Sequence, residues 1–303
     1  MSNTVSRLDL TQILCDVDDF YQSFLKNKDK RLLLVSEEQL KPCSSRLCLS
    51  QVMAIVIAFH GSGYRTFKEY YLHQVLKYWR REFANLVSYN RFVELMPGSL
   101  MLLAYFLTTR MGEITRIPFI DSTPIEVCHP CRANSHGVFG DMPQWGKNSV
   151  GWHYGFKLHL IVNDKGELLA FKLTEGHVDH RKPVSELTQG LMGKLFADKG
   201  YISQPLFQEL YQRGLELMTL CRKNMKNRLM SLTDRILLRK RAIIECVNDQ
   251  LKNICQIQHT RHRSPWNFLV NLLGGLIAYT YHPTKPSLDL EVKGLPALPS
   301  AIF

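Results

Sequence analysis

Three acids stand where their neighbours make them candidates for chemistry: Asp121, Asp198 and Glu245. Asp121 closes the apolar run IPFID, and Asp198 closes KLFAD. Carboxylates at strand ends gather at one edge of a sheet, where α/β proteins place their sites. Asp also favours turns and caps, so each aspartate alone suits a turn equally well. Glu245 lies on a predicted long helix over residues 233–257. At about 100° per residue, Arg241 falls about 40° from it and Lys252 about 20°, on one side of the helix. Ile236, Ile243, Val247 and Ile254 form an apolar stripe opposite. One face is oily, and the other carries a carboxylate between two cations. An exposed i, i+4 Arg–Glu pair has the same pattern.

The elements that must position these acids change character near residue 112. Before it the chain reads as helix after helix: residues 8–25, 49–59, 67–83, 91–94 and 100–109, broken at Gly61-Ser62-Gly63 and at Pro97-Gly98. Tyr70, Tyr71, Tyr78, Trp79, Arg80 and Arg81 form either a nucleic-acid face or an aromatic core stripe with a basic edge. After residue 112 strands begin. Residues 154–162 alternate, Asn163 to Gly166 reads as a turn, and residues 167–174 return as a hairpin partner. A helix over 181–191, a strand ending at Asp198, a helix over 205–213 opened by Pro205, a strand over 216–221 and the long helix follow. The order gives an α/β class, a mixed sheet flanked by helices behind an all-α N-terminal region. The division expected is 1–112, 113–283 and a Pro- and Leu-rich tail over 284–303.

Charge narrows the partner. The 303 residues carry a formal net charge of +11 with 45% apolar content, a globular composition with a polyanion-binding balance. From Arg222 to Arg263 there are eleven Lys or Arg against three acids, so that stretch supplies +8 of the excess. Arg222, Lys223, Lys226 and Arg228 are its densest part. Excess cations release counterions from phosphates, which points to nucleic acid. The N-terminal MSNTVSRLDL has no apolar signal-peptide core, and eight scattered cysteines suit a reducing cytoplasm. Cys128-His-Pro-Cys131 has knuckle spacing without a second half, since Cys43 and Cys48 are distant and spaced more widely. The apolar runs 47–59 and 266–281 are short or interrupted and read as core helices. No Gly-rich phosphate loop, no helical His pair with zinc spacing and no nucleophile elbow is present.

IDSTP around Asp121, ADKGY around Asp198, and Arg241-x3-Glu245-x6-Lys252 together resemble the signature of DDE-type bacterial insertion-sequence transposases. SYNRFVEL (88–95), GWHYGFKLHLIVN (151–163) and HTRHRSPWNFLVNLLGGLIAY (259–279) bring the chain closest to the insertion-sequence-982 group. The resemblance runs from about residue 10 to 282. It implies a ribonuclease-H-like catalytic domain with Asp121, Asp198 and Glu245 as ligands of Mg²⁺ or Mn²⁺, in a two-ion site. Mg²⁺ prefers hard oxygen donors, and converging carboxylates without a cation repel one another. Lys199, Arg241 and Lys252 would then contact phosphates. Trp152 reads as core packing, with base stacking as the alternative. The implied partners are double-stranded DNA, as element ends and target, and a second copy of the chain. Two positions depart from the family pattern. Leu238 stands where a Tyr precedes the Arg by three, and His177-Val-Asp-His180 stands where an Asn-x-x-Asp is usual. A nuclease of the same fold, or a DNA-binding derivative without catalysis, would share the charge and the fold; binding alone has no need of the three acids.

Overall fold

The computed structural model describes residues 8–26, 47–83, 85–140, 142–147, 151–221, 230–258 and 262–288. It opens with helices α1 (Leu10–Lys26), α2 (Leu49–Phe59) and α3 (Leu100–Thr109). α2 is apolar on every side and is buried on nearly every side, as such a helix must be. α1 is amphipathic and turns Ile13, Val17 and Phe24 inward. Between α2 and α3 the segment 67–78 is helical with a π turn at Tyr71–Val75. Tyr70 and Tyr71 are fully buried, and their hydroxyls donate to the Ile55 and Val87 carbonyls. That pair belongs to the core; Tyr78, Arg80 and Arg81 stay exposed.

The sheet follows: β1 (Phe119–Cys128), β2 (Gln144–Lys147), β3 (Trp152–Val162), β4 (Leu168–Glu175), β5 (Gly193–Phe196) and β6 (Leu215–Met218). The strand order is β2-β3-β1-β5-β6, with β4 also on β3. β1 runs antiparallel to β3 and parallel to β5, and β5 is parallel to β6. The sheet is therefore mixed, as the hairpin followed by helical crossovers requires. A short helix, Tyr89–Leu95, precedes α3, and after the first strands come α4 (Gln204–Gln212), α5 (Leu232–Lys240), α6 (Ala242–Asp249) and α7 (Pro265–Thr280). A short helix, Val184–Leu187, takes the place of the longer one expected over 181–191.

Alternation along the strands sorts the sheet into two covered faces. Phe119, Leu158, Leu160, Phe196 and Met218 join the core that includes Ile243, Ile244 and Val247 of α6. Ile120, Ile161, Leu195 and Leu217 join a second core with Val184, Leu187 and the α4 residues Leu206 and Leu210. The first core also runs without a break into α1, α2 and α3, so the change from helix to strand near residue 112 is not a gap in the packing. α7 links the two: it packs against both α2 and α3, and its Phe268 stacks on Phe156 of β3. Its Gly274 permits the approach to α2, and Gly275 the approach to Ile257 beyond the π turn. A Cβ on Gly274 would lie 2.8 Å from a Val56 methyl, and one on Gly275 2.3 Å from an Ile257 methyl. Residues Tyr89–Thr109 are long and apolar enough to cross a membrane, but the 3-10 turn Met96–Ser99 interrupts them and α3 packs on α7.

Four expectations need correction. The helix over 233–257 is not continuous: it breaks at Arg241 and ends in a π turn, Gln250–Ile254. Each irregularity shifts the helical phase, so Leu237, Leu238 and Leu251 are buried while Ile236 is 46% exposed. Asp121 does not end its strand, because β1 continues to Cys128 on the support of β3. Pro124 fits where β1 has lost its partner on the other side. Trp152 is 59% exposed and not core; the Lys147 ammonium sits 5.5 Å from its ring. The last strand ends at Met218 rather than at residue 221.

Where α2, α7 and the π turn meet, His60 is 3% exposed and its Nδ1 faces the Cys255 carbonyl. Burial lowers the pKa of His60 to about 4, against the pull of the Cys255 and Asn271 backbone; burial and the neighbouring His60 likewise lower His262 to about 4. Both must stay neutral in the fold. The unfolded chain takes up these protons below about pH 6.5, so this contribution to stability is complete above that value and is lost as pH falls towards 4. Each histidine costs roughly 2 kcal/mol by pH 5 on that basis. Urea unfolding at pH 7.5 and pH 5.0 should show the loss, and His60→Gln should reduce it by about 2 kcal/mol.

Candidate active site

The sheet topology brings the first two acids together. β1 and β5 pair at one register position only, Phe119 with Phe196, and beyond it the strands part. Asp121 lies two residues past that point on β1, and Asp198 lies two residues past the end of β5 in extended backbone. A spacing of two returns a side chain to the same face. That is the Phe119 face, the one α6 covers.

Asp198 caps a 3-10 turn, Lys199–Tyr201, and its Oδ1 accepts from the Gly200 amide at 2.8 Å. A Cβ at position 200 would lie 2.9 Å from Asp198 Oδ1 and 2.6 Å from His180 Nε2, so a larger residue there would displace one of those two side chains. α6 presents Glu245, whose Oε1 accepts from Arg241 Nη2 at 2.7 Å. The break that ends α5 leaves Arg241 at the start of α6, one turn before Glu245. From the same helix Asn248 Nδ2 donates to Asp121 Oδ2 at 3.0 Å, tying α6 to β1.

The electrostatics agree with this convergence. Burial pushes the Asp121 carboxyl up to about 6. The Ser122 backbone and the Arg241 guanidinium pull it down, and the Asp198 and Glu245 carboxylates add to the push. Lys252, half-buried in the π turn, is lowered by burial and held up by the Glu126 and Asp121 carboxylates. Asp121 thus sits in the field of two carboxylates and two cations. Tyr201 is buried beside it; burial and the Asp121 charge hold its phenol well above the ordinary value.

A cavity of about 280 Å³ opens on this side, lined by Ala197, Asp198, Lys199, Leu220, Leu238 and Arg241. Leu238, at the position where the family pattern has Tyr, is part of its wall. Larger cavities, of about 440 and 520 Å³, lie elsewhere, one between α1 and α3 and one beside β4 and α7.

Among the described residues, no three His, Cys, Asp or Glu side chains stand close enough to hold a metal ion as they are placed. Each acid is instead engaged by a protein donor: Asp121 by Asn248, Asp198 by Gly200, Glu245 by Arg241. The donor set still fits a hard divalent cation. It is all carboxylate, its most buried member is pushed towards neutrality chiefly by burial and further by the other two acids, and the buried Oδ1 of Asn248 has no hydrogen-bond donor.

The Transposase DDE domain family matches residues 111–265. The chain belongs to this family. No curated protein and no solved structure matches it. The matched segment of this DDE transposase runs from just before β1 to the first residue of α7, so Asp121, Asp198 and Glu245 all lie inside it.

Other candidates are distributed as follows. Arg241 and Lys252 lie close enough to Asp121 to couple with its charge, and Lys199 is exposed on the cavity wall. Arg222, Lys223, Lys226 and Arg228 lie outside the described residues, as does Cys43. Cys128, Cys131 and Cys48 are free thiols; Cys131 Sγ is 3.0 Å from His129 Nδ1. Sequence reasoning missed Asn248; Tyr201, within ADKGY, and His180 were noted without a place in the site, and the His180 ring meets Tyr201 edge to face at 4.7 Å. Asn248 had a usable signal: it follows Glu245 by three residues and so shares its side of the helix.

Proposed function

We propose that this DDE transposase is a member of the insertion-sequence-982 group, with a ribonuclease-H-like catalytic domain over residues 113–283. It cleaves DNA at the ends of its element and transfers the freed 3′-hydroxyl into target DNA. Asp121, Asp198 and Glu245 are its catalytic acids and hold Mg²⁺ or Mn²⁺, two ions in the working state. The observation that carries the reading is the parting of β1 and β5, which places Asp121 and Asp198 on one face beneath the helix that bears Glu245.

Bound divalent cations activate an attacking oxygen and stabilise the leaving one. The chain's own groups do the rest. Asn248, Gly200 and Arg241 hold the acids in place before substrate arrives. Arg241 and Lys252 bring positive charge near Asp121, suited to neighbouring phosphates. Lys199 and the stretch with Arg222, Lys223, Lys226 and Arg228 extend that charge along the DNA and supply affinity independent of sequence. Residues 1–112 serve recognition of the ends and assembly, and joining two ends calls for at least two protomers. The protein acts in the cytoplasm, on chromosomal or plasmid DNA.

The test uses the purified chain and duplexes carrying the inverted repeats that flank its gene. With Mg²⁺ or Mn²⁺, sequencing gels should show strand breaks at the ends and products joined to target DNA. Neither should form in EDTA. Full activity in EDTA would refute the cation mechanism, and broken ends without joined product would make the protein a nuclease.

A further inference from the structure

We infer that Asn248 is a positioning residue of the catalytic site, fixing the rotamer of Asp121 and lending its free amide oxygen to the water shell of a bound cation. The inference rests on the reading of Asp121 as a cation ligand. Asn248 is 8% exposed, in a stretch of α6 whose other inward residues, Ile243, Ile244 and Val247, are apolar. An amide in such a place costs free energy unless both of its ends find partners. One end does. Nδ2 lies 3.0 Å from Asp121 Oδ2, and only the NH₂ end of the amide can face a carboxylate with attraction.

That contact decides the rest of the geometry. With Nδ2 committed to Asp121, Oδ1 is turned elsewhere, and it is buried with no protein donor within reach. A half-satisfied amide beside a shielded acid is suited to a third party that brings its own hydrogens. A hydrated divalent cation is of that kind, because Mg²⁺ and Mn²⁺ keep several of their waters when carboxylates bind them. The bond to Oδ2 also spares Asp121 the search among rotamers that a cation would otherwise have to select. Groups that orient a metal ligand from behind in this way typically change cation affinity by about 10- to 100-fold when removed.

Asn248→Leu tests this in the full-length protein, since Leu keeps the branched shape and suits a helix while losing both ends of the amide. Mn²⁺ binding is followed by electron paramagnetic resonance without DNA, beside thermal unfolding in EDTA and binding of element-end DNA in EDTA. The expected result is Mn²⁺ affinity weaker by about 10- to 100-fold, with folding and end binding retained. Asn248→Ala is measured in the same way in case Leu does not fit. A folded variant whose Mn²⁺ affinity stays within about threefold of the parent's overturns the inference, as does failure of both variants to fold, which would make Asn248 structural. Asp121→Ala separates the two levels. If Asp121→Ala loses Mn²⁺ and Asn248→Leu does not, only the positioning role falls. Should Asp121→Ala bind Mn²⁺ like the parent, the assignment of the ligand falls, and the role of Asn248 with it.

Discussion

Asp121→Ala is expected to abolish strand cleavage and joining, by about 1000-fold or more given the several kcal/mol a catalytic cation contributes, while element-end DNA still binds. The two effects separate because affinity comes from Lys and Arg on phosphates, none of which the substitution removes. Stability should move in the opposite direction from activity. Burial raises the Asp121 carboxyl from 3.8 to about 6. The folded protein therefore holds this proton more tightly than the unfolded chain, and stability falls as pH rises through that interval. Above pH 6 the ionised carboxylate costs roughly 3 kcal/mol, offset in part by its bond with Asn248. In EDTA at pH 7.5, Asp121→Ala should unfold at a temperature no lower than the parent's. A variant that loses folding and DNA binding together would instead mark Asp121 as a structural acid.

The second large effect is expected at Glu245. Glu245→Gln keeps size and helix propensity but removes the charge, so catalysis should drop about 100- to 1000-fold. The protein should stay folded, because the side chain is 55% exposed and its i, i+4 pair with Arg241 is worth only a few tenths of a kcal/mol. Asp249→Asn is the matched control one turn on. Asp249 is exposed and its carboxylate accepts from Asn253 Nδ2 at 2.6 Å, so its loss should leave end cleavage near the parent's rate. If the two variants exchange behaviour in the same cleavage assay, the third acid is Asp249.

What the sequence made legible follows from how local each signal was. Asp121 and Asp198 were visible because an acid closing an apolar run is a local pattern, and the hairpin of β3 and β4 because its turn is coded by a few residues. The helix of Glu245 was legible as helical but not in phase. Its break at Arg241 and its π turn answer to packing against β1 and α7, which no window of the sequence contains. That is why Ile236 was placed inside and Leu238 was not recognised as cavity wall. Asn248 was passed over because its meaning depends on Asp121, 127 residues away. Trp152 illustrates the reverse error: a large aromatic reads as core by its type, but it opens β3 opposite Lys147 at the end of the β2–β3 pairing and is exposed.

The packing of α7 on α2 and α3 has a temporal consequence. During synthesis the N-terminal helices leave the ribosome well before residues 265–280, and until then the surfaces of Val56 and His60 that α7 will cover are bare. Closure of the core is thus postponed to the end of translation, an order that contacts between distant parts of a chain impose. A polypeptide stopped after β6 would have made Asp121 and Asp198 but neither the helix of Glu245 nor the lid on its own helical core. On the function proposed above, the complete set of acids would thus form only as the fold nears completion.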